Sequence, residues 1–212
     1  MRKGIIFDLD GTLWDSARAV TDSWNEVLDR MPGNTYHMTV KRMKSLMGKT
    51  MEDIAYEFLD KETPERAVEL LGYCMDYENE YLRNNGGKLF KGLRRTIREL
   101  KKDYFLAIVS NCQDGYIQAF MHYHRFDELF DDFESCGATG LLKADNIKLV
   151  VDRNKLSSAI YVGDTMGDYN STMEAGLPFV YASYGFGTVP DGTPSIDSIE
   201  ELPDFIRTSK IL

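Results

Sequence analysis

From Leu93 to the end of the chain, short apolar runs alternate with helical stretches, and this alternation restricts the fold more than any other feature. The runs at residues 105–109, 133–136, 160–162 and 179–182 are rich in β-branched, aromatic and small apolar residues. They are too short for buried helices and are spaced widely enough for a helix between each pair. Strands joined in this way lie parallel, with right-handed crossovers and helices on the faces of the sheet. Residues 4–7 supply one more run near the start of the chain, so about five strands are expected.

Between that first run and Leu93 the period is helical throughout. Val20, Trp24, Val27, Leu28 and Met31 recur at helical spacing until Pro32-Gly33-Asn34 breaks the pattern, and Asp15 or Ser16 can cap the start. Val40, Met43 and Met47 predict a second helix and Ile54 and Phe58 a third. Thr63-Pro64 opens a fourth, which runs through Val68, Leu71, Met75 and Leu82. The tyrosines and methionines from Tyr73 to Tyr81 are expected in the core of this block, and Asn84-Asn85-Gly86-Gly87 reads as a flexible return. The expected fold is therefore α/β: a Rossmann-like parallel sheet core, residues 1–14 and 88–212, carrying an inserted all-helical cap domain, residues 15–87.

Charge and composition exclude several roles. A net charge of -9 repels nucleic acid and anionic membranes, so any anionic substrate needs local help from a metal or a few bases. No apolar window reaches the length of a membrane span, and Asp8 interrupts the N-terminus before a signal-peptide core can form, so a cytoplasmic location is expected. The three cysteines, Cys74, Cys112 and Cys136, are far apart and form no CxxC, which fits reduced thiols. His37, His122 and His124 read as ordinary polar positions, and a monomer or homodimer is expected.

Ligands of open parallel sheets bind beyond the carboxyl ends of the strands. The first run ends in FDLDGTLWDS, Phe7 to Ser16, where Asp8 and Asp10 share one side of an extended chain and Leu9 points away. Two like charges facing one spot either raise a pKa or bind a cation. The run at 105–109 ends in Ser110-Asn111, and that at 160–162 ends in Gly163-Asp164, with Asp168 four residues later in VGDTMGDYN. Lys143 lies between the last two. Carboxylates, a hydroxyl with an amide, and an ammonium at one sheet edge are the parts phosphoryl transfer needs.

FDLDGTLWDS, Ser110-Asn111, Lys143 and GDTMGD resemble the four signature motifs of the haloacid dehalogenase superfamily, in its branch of phosphoglycolate-phosphatase-like hydrolases with a helical cap. The resemblance covers nearly the whole chain. It implies a Mg²⁺-dependent phosphatase of small phosphorylated metabolites, in which Asp8 forms an aspartyl-phosphate while Asp10 protonates the leaving oxygen and then activates water. It implies Mg²⁺ bound by Asp8, the Asp10 carbonyl and Asp164, with Asp168 supporting that shell. Ser110 and the Asn111 amide would hold phosphoryl oxygens, and Lys143 would neutralise charge. Many relatives follow the motif lysine with proline, whereas this chain reads Leu142-Lys143-Ala144-Asp145, so Lys148 is a rival. Lys143 is preferred because its distance from Asp164 leaves room for a full helix before the next strand. Gly48-Lys49-Thr50 lies between two cap helices, where Lys49 either grips a remote anion of the substrate or sits in a plain loop. A sugar phosphomutase and a non-catalytic phosphate-binding regulator are the alternatives. The first lacks the histidine such mutases carry early in the first cap helix, and the second would require a lost catalytic group.

Overall fold

The computed structural model describes residues 2–212; Met1, where the expected core begins, lies outside them. β1 (Arg2–Phe7) is exposed at its first two residues and buried from Gly4 onward. The chain then turns through residues 8–13 into β2 (Trp14–Asp15) and the helical block: α1 (Ala17–Leu28), α2 (Val40–Leu46), α3 (Met51–Phe58) and α4 (Pro64–Asn85). Thr39, Thr50 and Thr63 precede the last three, and each hydroxyl accepts from a backbone N–H three residues on, satisfying a donor the helix leaves open. At α1 the two expected caps separate. Ser16 precedes it without capping it, because its hydroxyl donates to Asp10, while Asp15 Oδ1 accepts from Ala17 N at 3.1 Å.

Two further expectations for the block are corrected. The buried stripe of α4 is Ala67, Leu70, Leu71, Cys74, Glu78 and Leu82, whereas Tyr73 is 51% exposed and Met75, Tyr77 and Tyr81 are half-buried. The tyrosines thus flank the core, and a carboxyl stands within it. The glycine pair after α4 is not a loose return either. Gly86 has φ 62°, and a Cβ there would lie 2.1 Å from the Tyr123 ring, while one on Gly87 would lie 2.9 Å from the Ser16 backbone. Both positions need glycine for close approach, and Gly86 needs it for its positive φ as well. β3 (Lys88–Leu89) then pairs antiparallel with β2, so the two crossings between sheet and helical block are joined as a ribbon.

The remaining elements alternate as expected: α5 (Leu93–Leu100), β4 (Phe105–Ser110), α6 (Tyr116–His124), β5 (Asp132–Ser135), α7 (Cys136–Thr139), α8 (Lys143–Arg153), β6 (Leu156–Gly163), α9 (Met166–Ala175), β7 (Phe179–Ala182), β8 (Ser195–Ile196) and α10 (Leu202–Ser209). The sheet is parallel, in the order β5-β4-β1-β6-β7-β8. It has one strand more than expected, since two-residue β8 is too short to show a pattern. Its two faces are sealed by alternate side chains. Ile5, Phe7, Leu106 and Ile108 belong to one apolar cluster, which continues into cap residues such as Leu28 and Leu70. Ile6, Ala107 and Val109 meet Ile147 and Val150 of α8 on the other. Each Val, Leu, Ile or Phe among them contributes about 1.5–3 kcal/mol on full burial. His124 is no ordinary surface position: it packs 5.6 Å from the Trp14 ring, and burial with Arg94 nearby pushes its pKa down to about 4. Among the described residues, no helix is long and apolar enough to cross a membrane.

Strand order reverses at β1, which lies between β4 and β6. A crevice at such a switch point, beyond the carboxyl ends of the strands, is where open α/β sheets bind ligands.

Candidate active site

Asp8 continues the sheet by one residue, its N–H donating to Val162 O at 2.8 Å, so its side chain is delivered to the end of β1 in the strand's own register. The turn that follows is tight, with Leu13 N donating to Leu9 O at 2.9 Å and Gly11 N to Trp14 O at 2.9 Å. Gly11 has φ 85°, and a Cβ there would come within 2.2 Å of Asp164 Oδ2. The glycine of FDLDG thereby lets the turn press against the carboxylate at the end of β6.

Four groups from three parts of the chain meet at this point. Lys143, the first residue of α8, is 2% exposed and places Nζ 2.7 Å from Asp8 Oδ1 and 2.6 Å from Asp168 Oδ1. Lys148 instead points outward and pairs with Asp145 at 3.4 Å. Asp168 lies in the first turn of α9, where its Oδ2 accepts from Thr165 N at 2.9 Å, Thr165 Oγ1 at 2.7 Å and Asp164 N at 3.2 Å. Both of its oxygens are engaged, so it orients Lys143 and the backbone of Asp164. Asp164 accepts from Thr12 Oγ1 at 3.2 Å and from Phe186 N at 2.7 Å.

Asp8, Asp164 and Asp168 each offer an oxygen within 4.8 Å of the others, and all three are buried. One ammonium faces three carboxylates. Burial, together with Asp168, pushes Asp8 up to about 7 despite Lys143. Burial, Asp168 and Asp8 push Asp164 up as well. Burial alone would lower Lys143, but Asp168 and Asp8 outweigh it and hold the ammonium charged. The cluster therefore carries more negative charge than it balances, and its hard oxygen donors suit a divalent cation such as Mg²⁺.

Asp10 stands apart from this cluster. Its carboxyl accepts from Ser16 Oγ and from Tyr116 OH, the latter at 2.9 Å, and burial pushes it up to about 6 against those hydrogen bonds. The two aspartates of FDLDG thus open onto one cavity but turn to different partners. A carboxyl tuned toward neutrality can give and take a proton at working pH.

The cavity between sheet and cap encloses about 40 Å³ and is lined by Asp8, Asp10, Ser110 and Asn111 from the core and by Trp24, Lys49 and Glu78 from the cap. Ser110 ends β4 and is 4% exposed. The Asn111 side-chain amide donates to Gly48 O at 2.8 Å, tying the Gly48-Lys49-Thr50 loop to the core. Lys49 itself is half-exposed, with its ammonium on Glu57. Sequence reasoning missed Ser16, Tyr116, Thr12 and Glu78. Ser16 and Thr12 lie within the quoted motif, where Ser16 is expected as a helix cap, whereas Tyr116 lies 106 residues from Asp10 and carries no local signal.

Comparison with known proteins agrees with this arrangement. The model of the haloacid dehalogenase-like hydrolase family matches residues 5–182. A phosphoglycolate phosphatase from Psychrobacter arcticus is 24% identical over 95% of this chain and 94% of its own. A haloacid dehalogenase-like family hydrolase from Streptococcus pneumoniae superposes with a TM-score of 0.80 at 22% identity, covering 97% of this chain and 98% of that one. CbbY from Rhodobacter sphaeroides, solved in complex with phosphate, has a TM-score of 0.78 at 20% identity, covering 95% and 96%.

Proposed function

Since the chain belongs to the haloacid dehalogenase-like hydrolases, we propose that it is a Mg²⁺-dependent phosphatase that hydrolyses small phosphate monoesters through an aspartyl-phosphate on Asp8. The observation that carries this reading is the buried meeting of Asp8, Asp164 and Asp168 with a single ammonium, Lys143, at the mouth of β1. The relatives named as a phosphoglycolate phosphatase and as a phosphate complex support phosphate as the group handled.

Asp8, the Asp10 carbonyl and Asp164 would hold Mg²⁺, with Asp168 bracing them. When bound, the ion neutralises the crowded carboxylates and the phosphoryl oxygens, which keeps Asp8 ionised at neutral pH. Asp8 then attacks phosphorus as the bond to the leaving oxygen breaks, and Asp10 transfers its proton to that oxygen. Ser110 and Asn111 hold phosphoryl oxygens, while Lys143 stabilises the charge shared between Asp8 and the phosphoryl group. In the second half, Asp10 takes a proton from water, the water attacks phosphorus, and Asp8 leaves as a carboxylate. Residues 1–14 and 88–212 do this chemistry, and the cap, residues 15–87, selects the alcohol. A cavity of about 40 Å³ has room for only a few waters, which supports an outward movement of the cap as an ester enters. We place the enzyme in the cytoplasm, acting on small metabolites.

The test is release of phosphate from a panel of monoesters by the purified protein with Mg²⁺ and with chelator. Turnover only with the ion supports the reading; full turnover in chelator ends it.

A further inference from the structure

Glu78 is the one buried carboxyl on the cap side of the catalytic cavity among the described residues, only 3% exposed, in the middle of the apolar stripe of α4. Its Oε2 accepts from Trp24 Nε1, and Gln113, whose amide donates to Asn79 Oδ1 at 3.2 Å, lies beside it on the same cavity wall. No cation balances it. The two cap lysines near the cavity mouth are engaged elsewhere, Lys49 with Glu57 and Lys44 with Asp15 at 2.6 Å. A carboxyl removed from water without a counter-charge is costly, and the strain is visible here as a pKa pushed up to about 8 by burial. A carboxylate with a purely structural role would be expected to have a cation beside it. This one instead lines the space that faces Asp8 and Asp10, where the leaving group of an ester on Asp8 has to lie.

We propose that Glu78 is the specificity-determining residue of this site, receiving the hydrogen-bond donors of the leaving alcohol, an ammonium or hydroxyl group, and turning away esters whose alcohol carries a carboxylate. The inference rests on the phosphatase reading and deepens it. An ammonium would supply the missing counter-charge, and a hydroxyl would donate to a carboxyl already polarised by Trp24. A carboxylate would lose its water in a pocket where Lys44 and Lys49 are already paired and no free cation stands beside it, and an unpaired charge taken from water is costly. The apolar walls formed by Val20, Met47 and Ile54 suit a short carbon chain between the phosphate and that donor.

The experiment measures kcat/KM of the protein with Mg²⁺ on phosphoethanolamine, glycerol 3-phosphate, phosphoglycolate and p-nitrophenyl phosphate. The ammonium and hydroxyl esters should exceed phosphoglycolate by about tenfold or more, the scale of one hydrogen bond to a charged group. Glu78→Gln keeps an oxygen for Trp24 but has no proton to give up when an ammonium docks beside it. It should lower the ratio of phosphoethanolamine to p-nitrophenyl phosphate about tenfold to a hundredfold, mainly through KM, and should narrow the gap to phosphoglycolate. Glycerol 3-phosphate should fall less, which separates charge from plain hydrogen bonding. A wild-type preference for phosphoglycolate overturns the proposal even if the variant does not fold, and so does an equal loss on all four esters. No turnover of p-nitrophenyl phosphate with Mg²⁺ would be the failure of the phosphatase reading itself, and the proposal falls with it.

Discussion

Replacing Glu78 with glutamine isolates one buried ionisation, and its consequence for stability can be worked out in advance. In the folded protein the carboxyl is pushed up from its ordinary 4.5 to about 8, so between those values the folded state holds a proton that the unfolded state has released. The sign follows directly: the stability linked to this proton is complete below pH 4.5 and is lost as the pH rises through 8. Each pH decade within that window costs about 1.4 kcal/mol, which sets a ceiling of about 5 kcal/mol for the whole interval. Water entering the cavity and local relaxation reduce this to about 2–4 kcal/mol. Glutamine does not titrate, and its side-chain oxygen can still accept from Trp24 Nε1. Wild type minus Glu78→Gln should therefore become steadily less favourable from pH 5 to pH 8 and level off above that, while the titrations of other groups largely cancel. Urea unfolding at four or five pH values, read as the difference in midpoint at constant m, measures this. A difference that is flat with pH would refute the reasoning, because it would mean that Glu78 is ionised in the folded state at little cost.

Other perturbations probe neighbouring parts of the account. Lys143→Ala should abolish turnover and cost about 3–5 kcal/mol, since it leaves buried carboxylates without their ammonium. Added Mg²⁺ should then raise Tm more in the variant than in wild type, and equal shifts would contradict the charge deficit. Gly86→Ala should destabilise by more than about 1–3 kcal/mol, because it combines a positive φ with a Cβ 2.1 Å from Tyr123, and thermal unfolding would show this. Lys49→Ala should change stability by less than about 1 kcal/mol, since its pair with Glu57 is half-exposed. If Lys49 does reach a second anion on a substrate, kcat/KM for doubly anionic esters should fall more than for aryl phosphates.

The part of the site made by strand ends was legible because it follows from topology. Asp8, Ser110 and Asp164 each stand directly behind a short apolar run, and parallel strands bring those positions to one edge whatever the rest of the chain does. Lys143 was legible by the length of helix it leaves before β6, and it does open α8. The partners of Asp10 were not. Ser16 was read as a helix cap because local hydrogen bonding is the commonest use of serine beside a helix. Its actual partner is set by a turn whose shape depends on Gly11 packing against Asp164. Tyr116 reaches Asp10 only because α6 packs behind the cap junction. Glu78 was hidden differently. Leu71, Cys74, Glu78 and Leu82 have the spacing of a buried stripe, but a carboxylate in such a stripe reads as a gap in the pattern until the opposing Trp24 is known. β8 and the β2–β3 ribbon are two residues long at each strand and leave no periodic trace.

The central claim is that Asp8 is the nucleophile and that Asp10 serves both half-reactions. Asp10→Asn with an aryl phosphate of acidic phenol tests it most directly, because such a leaving group needs little proton donation while hydrolysis of the intermediate still needs a base. Rapid-quench kinetics should show a burst of about one phenol per site followed by a stalled steady state, with phosphate trapped on Asp8. An alkyl phosphate should give almost no burst. A variant that is slowed equally on both substrates, with no phosphoenzyme or with phosphate on another residue, would contradict the account.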